Sequence, residues 1–340
     1  MSRETADRPH VRLRARCRRF ATTGAWLLLP LACLLPSASV SAEQQATAPA
    51  RASTRFDIRF VPRAERHAVP YERVRGTALF RAEVDGREVW AMLDNRVTSS
   101  VIDAAFARSL GIELDTPAGR FRTPSGSLER WRVPDVAIRV PGQISMHRPM
   151  FATDLSFLSA VTGRPVSLLM GNEFFDGLAV LFTPHDRTIQ FAPSGTMELP
   201  ADTPHLVLQD DRPRVEVMIA GRPAVLTVDL GFNGDIAVNE SAWTTLGLNA
   251  LPVAAGRAAN ANGRVFAMSS AIVGEVVLGS TSVRDVKVTL QPVFPDDGDG
   301  FIGLGLLSRF TFALDVRARR LWLIAPEDPP GAAAAAPAER

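Results

Sequence analysis

The chain has 340 residues, of which 46% are hydrophobic, and a formal net charge of +2. This length allows one large domain or two of ordinary size, and this composition excludes a chain that is disordered throughout. The positive charge is concentrated in residues 1–42, which carry seven arginines against Glu4 and Asp7. The remainder is slightly acidic, so the overall basicity does not indicate a nucleic-acid partner, and we expect none.

Residues 1–42 have the pattern of a signal peptide. Several arginines precede an apolar run at residues 25–35, and Val40-Ser41-Ala42 forms a small-residue cleavage site. The apolar run is too short to span a bilayer about 30 Å thick. We therefore expect an exported protein, periplasmic or secreted, with no membrane span after cleavage. A leader that is retained as an anchor is the alternative.

Both cysteines, Cys17 and Cys33, lie in this leader. Disulfides, thiolate nucleophiles and cysteine metal sites are therefore excluded from the rest of the chain, which suits an oxidising compartment. The histidines beyond the leader show no ligand spacing: His67, His147, His185 and His205. Since a zinc site needs three or four converging ligands, we expect no metal, and no motif indicates another cofactor.

Beyond the leader, the chain divides into a tether, a β-rich region and a tail. Residues 43–68 lack sustained periodicity and are predicted to form a flexible tether, and residues 326–340 are predicted to form a disordered tail. Between them, short Val, Ile, Leu and Phe runs alternate with Gly, Pro, Asn and Asp, a pattern typical of strands. The predicted helices are few and short, at residues 104–110, 154–161, 174–177 and 240–246.

The β-rich region contains an internal duplication, with repeats at residues 69–198 and 199–325. Two apolar runs end on an aspartate, Asp94 or Asp229, and each follows a turn glycine, Gly86 or Gly221. Further landmarks recur in the same order: Leu110-Gly111 and Leu246-Gly247, Gly126 and Gly263, Gly142 and Gly279, Met170-Gly171 and Ile302-Gly303. Each repeat ends in two predicted strands, at residues 178–182 and 188–191, and at 310–314 and 320–324. The near-constant spacing indicates two copies of one fold unit that bring the two carboxylates together.

This arrangement resembles the aspartic peptidases of the pepsin and retropepsin type over residues 70–325. In that family an apolar strand ends in Asp-Thr-Gly or Asp-Ser-Gly, a flap hairpin follows, and an apolar-apolar-Gly segment lies beside the aspartate loop. Leu169-Met170-Gly171 and Phe301-Ile302-Gly303 resemble that segment. The resemblance implies an all-β pseudo-dimer of two β-barrel lobes with a few short helices. It also implies a monomer that binds a peptide or protein substrate in the cleft between the lobes.

The same resemblance implies that Asp94 and Asp229 form a catalytic dyad. Two carboxyl groups about 3 Å apart cannot both ionise, so they share one proton. The ionised member takes a proton from a water while the protonated member donates to the scissile carbonyl. Taken singly, however, an aspartate at a strand end is an ordinary turn residue.

Both predicted dyad loops depart from the family motif. Asn95 and Leu230 replace its Thr or Ser, so the hydrogen bonds between the loops are expected to be weakened or absent, although the Asn95 amide can replace them in part. Gly231 keeps the family's glycine, whereas Arg96 replaces it in the first loop. A guanidinium within about 4–6 Å of Asp94 would favour the ionised form and oppose proton sharing. An Arg96 that points outward would leave the dyad intact.

Three functions therefore remain open. The first is an aspartic-type endopeptidase that uses Asp94 and Asp229. The second is a catalytically inactive peptide-binding protein of the same fold, and the third is a structural domain without a cleft ligand. Gly126 and Gly263 mark the tips of flaps that close over a ligand, or they form simple hairpin turns.

Overall fold

The described part of the chain is built mainly from β-strands, as the sequence predicts. The computed structural model describes residues 58–123, 126–209, 213–259, 265–291 and 298–325, all within one unit, residues 54–340. The strands up to residue 198 are β1 Arg59–Phe60, β2 Val69–Val74, β3 Thr77–Val84, β4 Arg87–Leu93, β5 Val101–Asp103, β6 Pro117–Thr123, β7 Gly126–Val140, β8 Ile144–Thr153, β9 Val166–Met170, β10 Leu178–Thr183 and β11 Thr188–Pro193. Those that follow are β12 His205–Val207, β13 Arg214–Ile219, β14 Arg222–Asp229, β15 Ile236–Val238, β16 Val253–Ala259, β17 Val265–Leu278, β18 Thr281–Leu290, β19 Gly300–Gly303, β20 Thr311–Asp315 and β21 Arg320–Ile324.

Each repeat closes a ring of six strands, and the two rings have the same order. In the first repeat, neighbouring strands pair in the order β3-β4-β9-β5-β8-β7, and β7 pairs back to β3. In the second repeat, the order is β13-β14-β19-β15-β18-β17, and β17 pairs back to β13. Closure leaves the ring without an exposed edge. The duplication predicted from the sequence is therefore a duplication of the fold: two β-barrel lobes.

The hairpin that feeds each aspartate strand turns in the same way. The β3–β4 turn has φ of 48° at Asp85 and 77° at Gly86, and the β13–β14 turn has φ of 50° at Ala220 and 75° at Gly221. Two successive residues with positive φ define the tight turn that matches the twist of paired strands, and glycine reaches this conformation without a steric penalty. The glycines Gly86 and Gly221 thus set the register of the strands that end on Asp94 and Asp229.

A third group of strands joins the two lobes. Its strands follow the order β12-β21-β20-β10-β11-β2, and the central antiparallel pair, β10 and β20, comes from different repeats. In this sheet Phe182 and Phe312 stack with their ring centroids 4.8 Å apart, and both side chains are buried. Burying each ring contributes roughly 2–3 kcal/mol. The two strands predicted at the end of each repeat therefore hold the lobes together.

The helices are short, and all but the one at Leu304–Leu307 overlap a segment that the sequence predicts to be helical. They are α1 Ala104–Ser109, α2 Ser156–Thr162, α3 Glu240–Thr245 and α4 Leu304–Leu307, with 3-10 turns at Arg63–Glu65, Asn172–Asp176 and Leu248–Ala250. The helices α1 and α3 are equivalent in the two repeats. Each begins with a side-chain cap, because Asp103 accepts the Phe106 N–H at 2.9 Å and Asn239 accepts the Ala242 N–H at 2.8 Å.

Part of the segment predicted as a tether is paired in the structure. β1, at Arg59–Phe60, is antiparallel to β8 at Ser145 and Ile144. The folded part of the chain thus begins before residue 69, the boundary that the sequence predicts. No helix among the described residues is long and apolar enough to cross a membrane.

Candidate active site

Two aspartates lie at equivalent ends of equivalent strands. Asp94 follows β4, which runs parallel to β9, and its N–H donates to the Met170 carbonyl at 3.0 Å. Asp229 ends β14, which runs parallel to β19 and is in register with Gly303. Parallel strands deliver their carboxyl ends to the same edge of a sheet. The two repeats thus present one carboxyl group each, from loops of the same design.

The Asp94 carboxyl group is held by its own loop and contacts the loop of the other repeat. Its Oδ1 accepts the N–H groups of Arg96 and Val97 at 3.1 and 3.3 Å. A Cβ added to Gly231 would lie 2.6 Å from Asp94 Oδ2. A side chain at residue 231 would therefore displace the Asp94 carboxyl group of the other repeat, which occupies that space.

Asp229 is held in the same manner but more deeply. Its Oδ1 accepts the N–H groups of Gly231 and Phe232 at 2.8 and 3.0 Å, and the residue is only 4% exposed. Burial raises the pKa of Asp229 to about 7, and the nearby charge of Asp94 adds to this shift. Burial likewise raises the pKa of Asp94. Since each carboxyl group disfavours a second charge beside it, the pair titrates as a unit.

Arg96 points into the site. Its Nη1 lies 3.2 Å from Oδ2 of Asp229, the carboxylate of the other repeat. The guanidinium also lies over the ring of Phe301, 4.0 Å from the centroid. Only 19% of the Arg96 side chain is exposed. The positive charge lowers the pKa values of both Asp229 and Asp94, against the larger effect of burial. Of the two orientations considered from the sequence, the inward one is observed.

The two aspartate loops are tied together by Asn95. Its Nδ2 donates to the Val228 carbonyl at 2.7 Å, and its Oδ1 accepts the Leu230 N–H at 2.8 Å. Both bonds are buried. The prediction that the Asn95 amide replaces the cross-loop bonds is confirmed, because this amide both donates and accepts. The general expectation of weakened or absent bonds is wrong on this side of the site. Leu230 takes part only through its backbone, and its side chain is buried in the apolar core.

The flap candidates are only partly described. Gly126 is the first residue of β7, in the β6–β7 hairpin. Gly263 lies outside the described residues, between β16 and β17, which also pair as a hairpin. Each repeat thus has the hairpin that follows the aspartate loop in the predicted order.

Two ion pairs behind the aspartate loops are not predicted from the sequence. Arg148 pairs with Glu173 in the first repeat, and Arg309 pairs with Asp235 in the second. The partners are far apart in the chain, so spacing gives no signal for either pair. Glu173 alone carries a recognisable signal, since it is a charged residue two positions after the glycine of an apolar-apolar-Gly segment.

Among the described residues, no group of three or more His, Cys, Asp or Glu side chains is arranged to hold a metal ion. The charged groups that the structure places where the lobes meet are the carboxyl groups of Asp94 and Asp229 and the guanidinium of Arg96.

The fold and site agree with a comparison of the sequence with protein families. The model of the aspartyl protease family matches twice, at residues 80–174 and 215–306. These segments cover more than half of the chain, and each contains one of the two aspartate loops. The chain belongs to the aspartyl protease family. Within that family it is a retropepsin-like protein that carries two repeats in one chain. No curated protein matches the sequence significantly.

Proposed function

We propose that this protein hydrolyses peptide bonds, with Asp94 and Asp229 as the acid–base pair. The observation that carries the proposal is the contact between the two repeats at these residues, where the Asp94 carboxyl group fills the side-chain space of Gly231. One buried carboxyl group raises the proton affinity of the other. Such a pair holds a single proton over a wide pH range, as this reaction requires.

The reaction follows from that single proton. The ionised carboxylate takes a proton from a water, whose oxygen attacks the carbonyl carbon of the peptide bond. The protonated carboxyl group donates to the carbonyl oxygen, giving a neutral tetrahedral intermediate. The carboxyl group that took the water proton passes it to the amide nitrogen. The C–N bond then breaks, and the hydroxyl proton returns to the other carboxylate.

Paired aspartate variants test this proposal. Asp94→Asn and Asp229→Asn each remove one ionisable oxygen without changing shape, and each is expected to lower kcat by at least about a thousandfold on a mixed peptide library. Asp186→Asn is the control, because Asp186 is exposed and pairs with His185. Cleavage that persists in Asp229→Asn would contradict the dyad.

A catalytically silent peptide-binding protein is the second candidate function, and the ion pair between Arg96 and Asp229 favours it. The guanidinium contacts Oδ2 of Asp229 and favours its ionised form, which opposes proton sharing. Arg96→Gly restores the family's residue and separates the two functions. A peptidase limited by Arg96 gains activity in this variant, whereas a silent protein gains none and still binds a statine-type peptide.

We further propose that the protein is exported and acts as a monomer on peptide or protein substrates held between the lobes. The arginine-rich leader with its apolar run supports export, and the pairing of two repeats within one chain supports a monomer. Cell fractionation and light scattering test these points. Cytoplasmic retention of the intact chain, or a stable dimer, would contradict them.

A further inference from the structure

A buried ion pair lies behind the Asp94 loop and takes no part in the proton transfers described above. Nη2 of Arg148, on β8, lies 3.1 Å from Oε1 of Glu173, with only 8% and 9% of the two side chains exposed. Burial raises the pKa of Glu173, and the charge of Arg148 opposes this shift. Hydrophobic residues of similar volume often give equal or greater stability than such a pair. Packing alone therefore does not account for it.

Glu173 is connected to the Asp94 loop through Ser100. Its Oε1 accepts the Ser100 N–H, and Ser100 Oγ accepts the Gly171 N–H at 2.9 Å. Ser100 is fully buried and closes the loop that Asp94 opens. A carboxylate that accepts a backbone N–H in this way forms a stronger hydrogen bond than a neutral acceptor. The charge of Glu173 thus acts at the far end of the aspartate loop.

The glycine segment after β9 contacts the same loop along its length. The Asn172 N–H donates to the Val97 carbonyl at 2.7 Å. A Cβ added to Gly171 would lie 2.6 Å from Glu173 Oε2 and 2.7 Å from the Ser99 carbonyl carbon. Gly171 is therefore packed closely between Glu173 and the Ser99–Ser100 end of the loop, so we expect a displacement of Glu173 to move that end.

The second repeat also has an ion pair behind its aspartate loop, but the carboxylate comes from the loop side, where Asp235 pairs with Arg309. Gly305 stands at the position of Glu173, and its N–H donates to the Gly234 carbonyl at 2.9 Å. The N–H groups of Gly303 and Leu304 donate to the Asp235 and Phe232 carbonyls at 2.9 and 2.8 Å. Backbone bonds and the Asp235–Arg309 pair thus hold the Asp229 loop. In the first repeat, whose aspartate loop carries Arg96 in place of glycine, the carboxylate comes instead from the glycine segment, at Glu173.

We propose that Arg148 and Glu173 form a brace that positions the Asp94 loop, and with it the Asp94 carboxyl group, for the proposed hydrolysis. Glu173 is a positioning residue, since it contacts Ser100 and not the reacting atoms. Arg148 favours the ionised form of Glu173 and holds its carboxyl group in place. The inference rests on the proposed function, and the experiment below separates the two.

Two double variants test the brace while keeping the fold. Arg148→Met with Glu173→Gln removes both charges but keeps an oxygen to accept the Ser100 N–H. Arg148→Met with Glu173→Leu removes the acceptor as well. Neither leaves a buried charge unpaired, so both are expected to fold; circular dichroism and thermal melts check this. Arg139→Gln is the surface control, since Arg139 pairs with Glu83 on the exposed side of the same lobe.

We expect kcat of the double variant with Glu173→Leu to be at least tenfold lower than that of the double variant with Glu173→Gln, and the two KM values to agree within twofold. The carboxyl resonances of Asp94, followed by 13C NMR, should titrate furthest from the native pH in the variant with Glu173→Leu and closer to the native pH in the variant with Glu173→Gln, which keeps the acceptor but not the charge. Equal kcat and equal titration in the two folded variants would overturn the brace.

Failure of the proposed function gives a different result. In that case neither the native protein nor Arg96→Gly cleaves any peptide, whatever residue 173 is. The titration of Asp94 then still decides whether the brace positions its loop, because this measurement needs no turnover.

Discussion

At Asn95, one amide side chain does the work that two hydroxyl groups share in the family's motif. It donates to Val228 and accepts from Leu230, and so couples the two loops from one side only. The sequence identifies Asn95 as a partial substitute for those hydroxyl groups. It does not show that this one side chain makes both bonds, because the bonds join residues more than 130 positions apart.

We predict that Asn95→Ala destabilises the protein by about 2–4 kcal/mol, since it leaves a buried N–H and a buried carbonyl without partners. Urea unfolding measures this loss. Asn233→Ala is the matched control, because Asn233 is exposed and makes one bond, to the Arg75 carbonyl. Its expected cost is below about 1 kcal/mol. Equal losses in the two variants would show that Asn95 does not tie the loops.

Asp229 gives a prediction about pH. Its pKa is about 7 in the folded protein and near 4 in an unfolded chain. Between these values the folded protein holds a proton that the unfolded chain has released, so the free energy of unfolding falls as pH rises. The change is on the order of 2–4 kcal/mol between pH 4 and 8. Denaturant melts should show this fall in the native protein and a much smaller one in Asp229→Asn. A native protein whose stability rises across this range would contradict the raised pKa.

The orientation of the Arg96 side chain cannot be predicted from the sequence. Its replacement of glycine is visible in the sequence, but its long side chain has many rotamers of similar energy. Phe301 and Asp229, both from the other repeat, fix one of them. The position of the Arg96 charge beside Asp229 is therefore set by contacts that form only in the folded protein.

At the scale of elements, turn residues and apolar runs in the sequence predict most of the strands and hairpins. Gly86 and Gly221 predict the hairpins, and the aspartate strands follow directly from them. Strand β1 is missed because it has only two residues and is held by β8 rather than by its own pattern. The apolar-apolar-Gly segments are recognised in the sequence as landmarks of the duplication. The structure explains their glycines, because each segment lies in close contact with an aspartate loop.

The glycine segment of the second repeat supplies a test. A Cβ at Gly303 would overlap the carbonyl oxygens of Gly234 and Phe232, so Gly303→Ala is expected to cost about 2–4 kcal/mol. Gly274→Ala is the control, since no atom lies within 4 Å of an added Cβ there. This control should be neutral or slightly stabilising. Thermal melts compare the two. An unchanged melting temperature for Gly303→Ala would contradict the claim that close contact between this segment and the Asp229 loop stabilises the fold.

At the scale of the whole molecule, two lobes of one design meet at two unequal loops. The duplication was readable because its landmarks keep their order and spacing. The shared sheet cannot be predicted in this way, since the pairing of β10 with β20 joins residues 130 or more positions apart. This sheet fixes the lobes around the aspartates. The Asp94 carboxyl group consequently reaches Gly231, and Arg96 reaches Asp229.

The central claim is that Asp94 and Asp229 form one coupled acid–base unit across the two lobes. Titration of the Asp229 carboxyl group by 13C NMR, in the native protein and in Asp94→Asn, tests it most directly. Burial alone keeps the pKa of Asp229 raised in the variant, but loss of the neighbouring charge should lower it from the native value of about 7. A native pKa near 7 that falls in Asp94→Asn is the predicted result. An Asp229 that titrates at the same pH in both proteins would contradict the coupling and the pairing of the two repeats in one site.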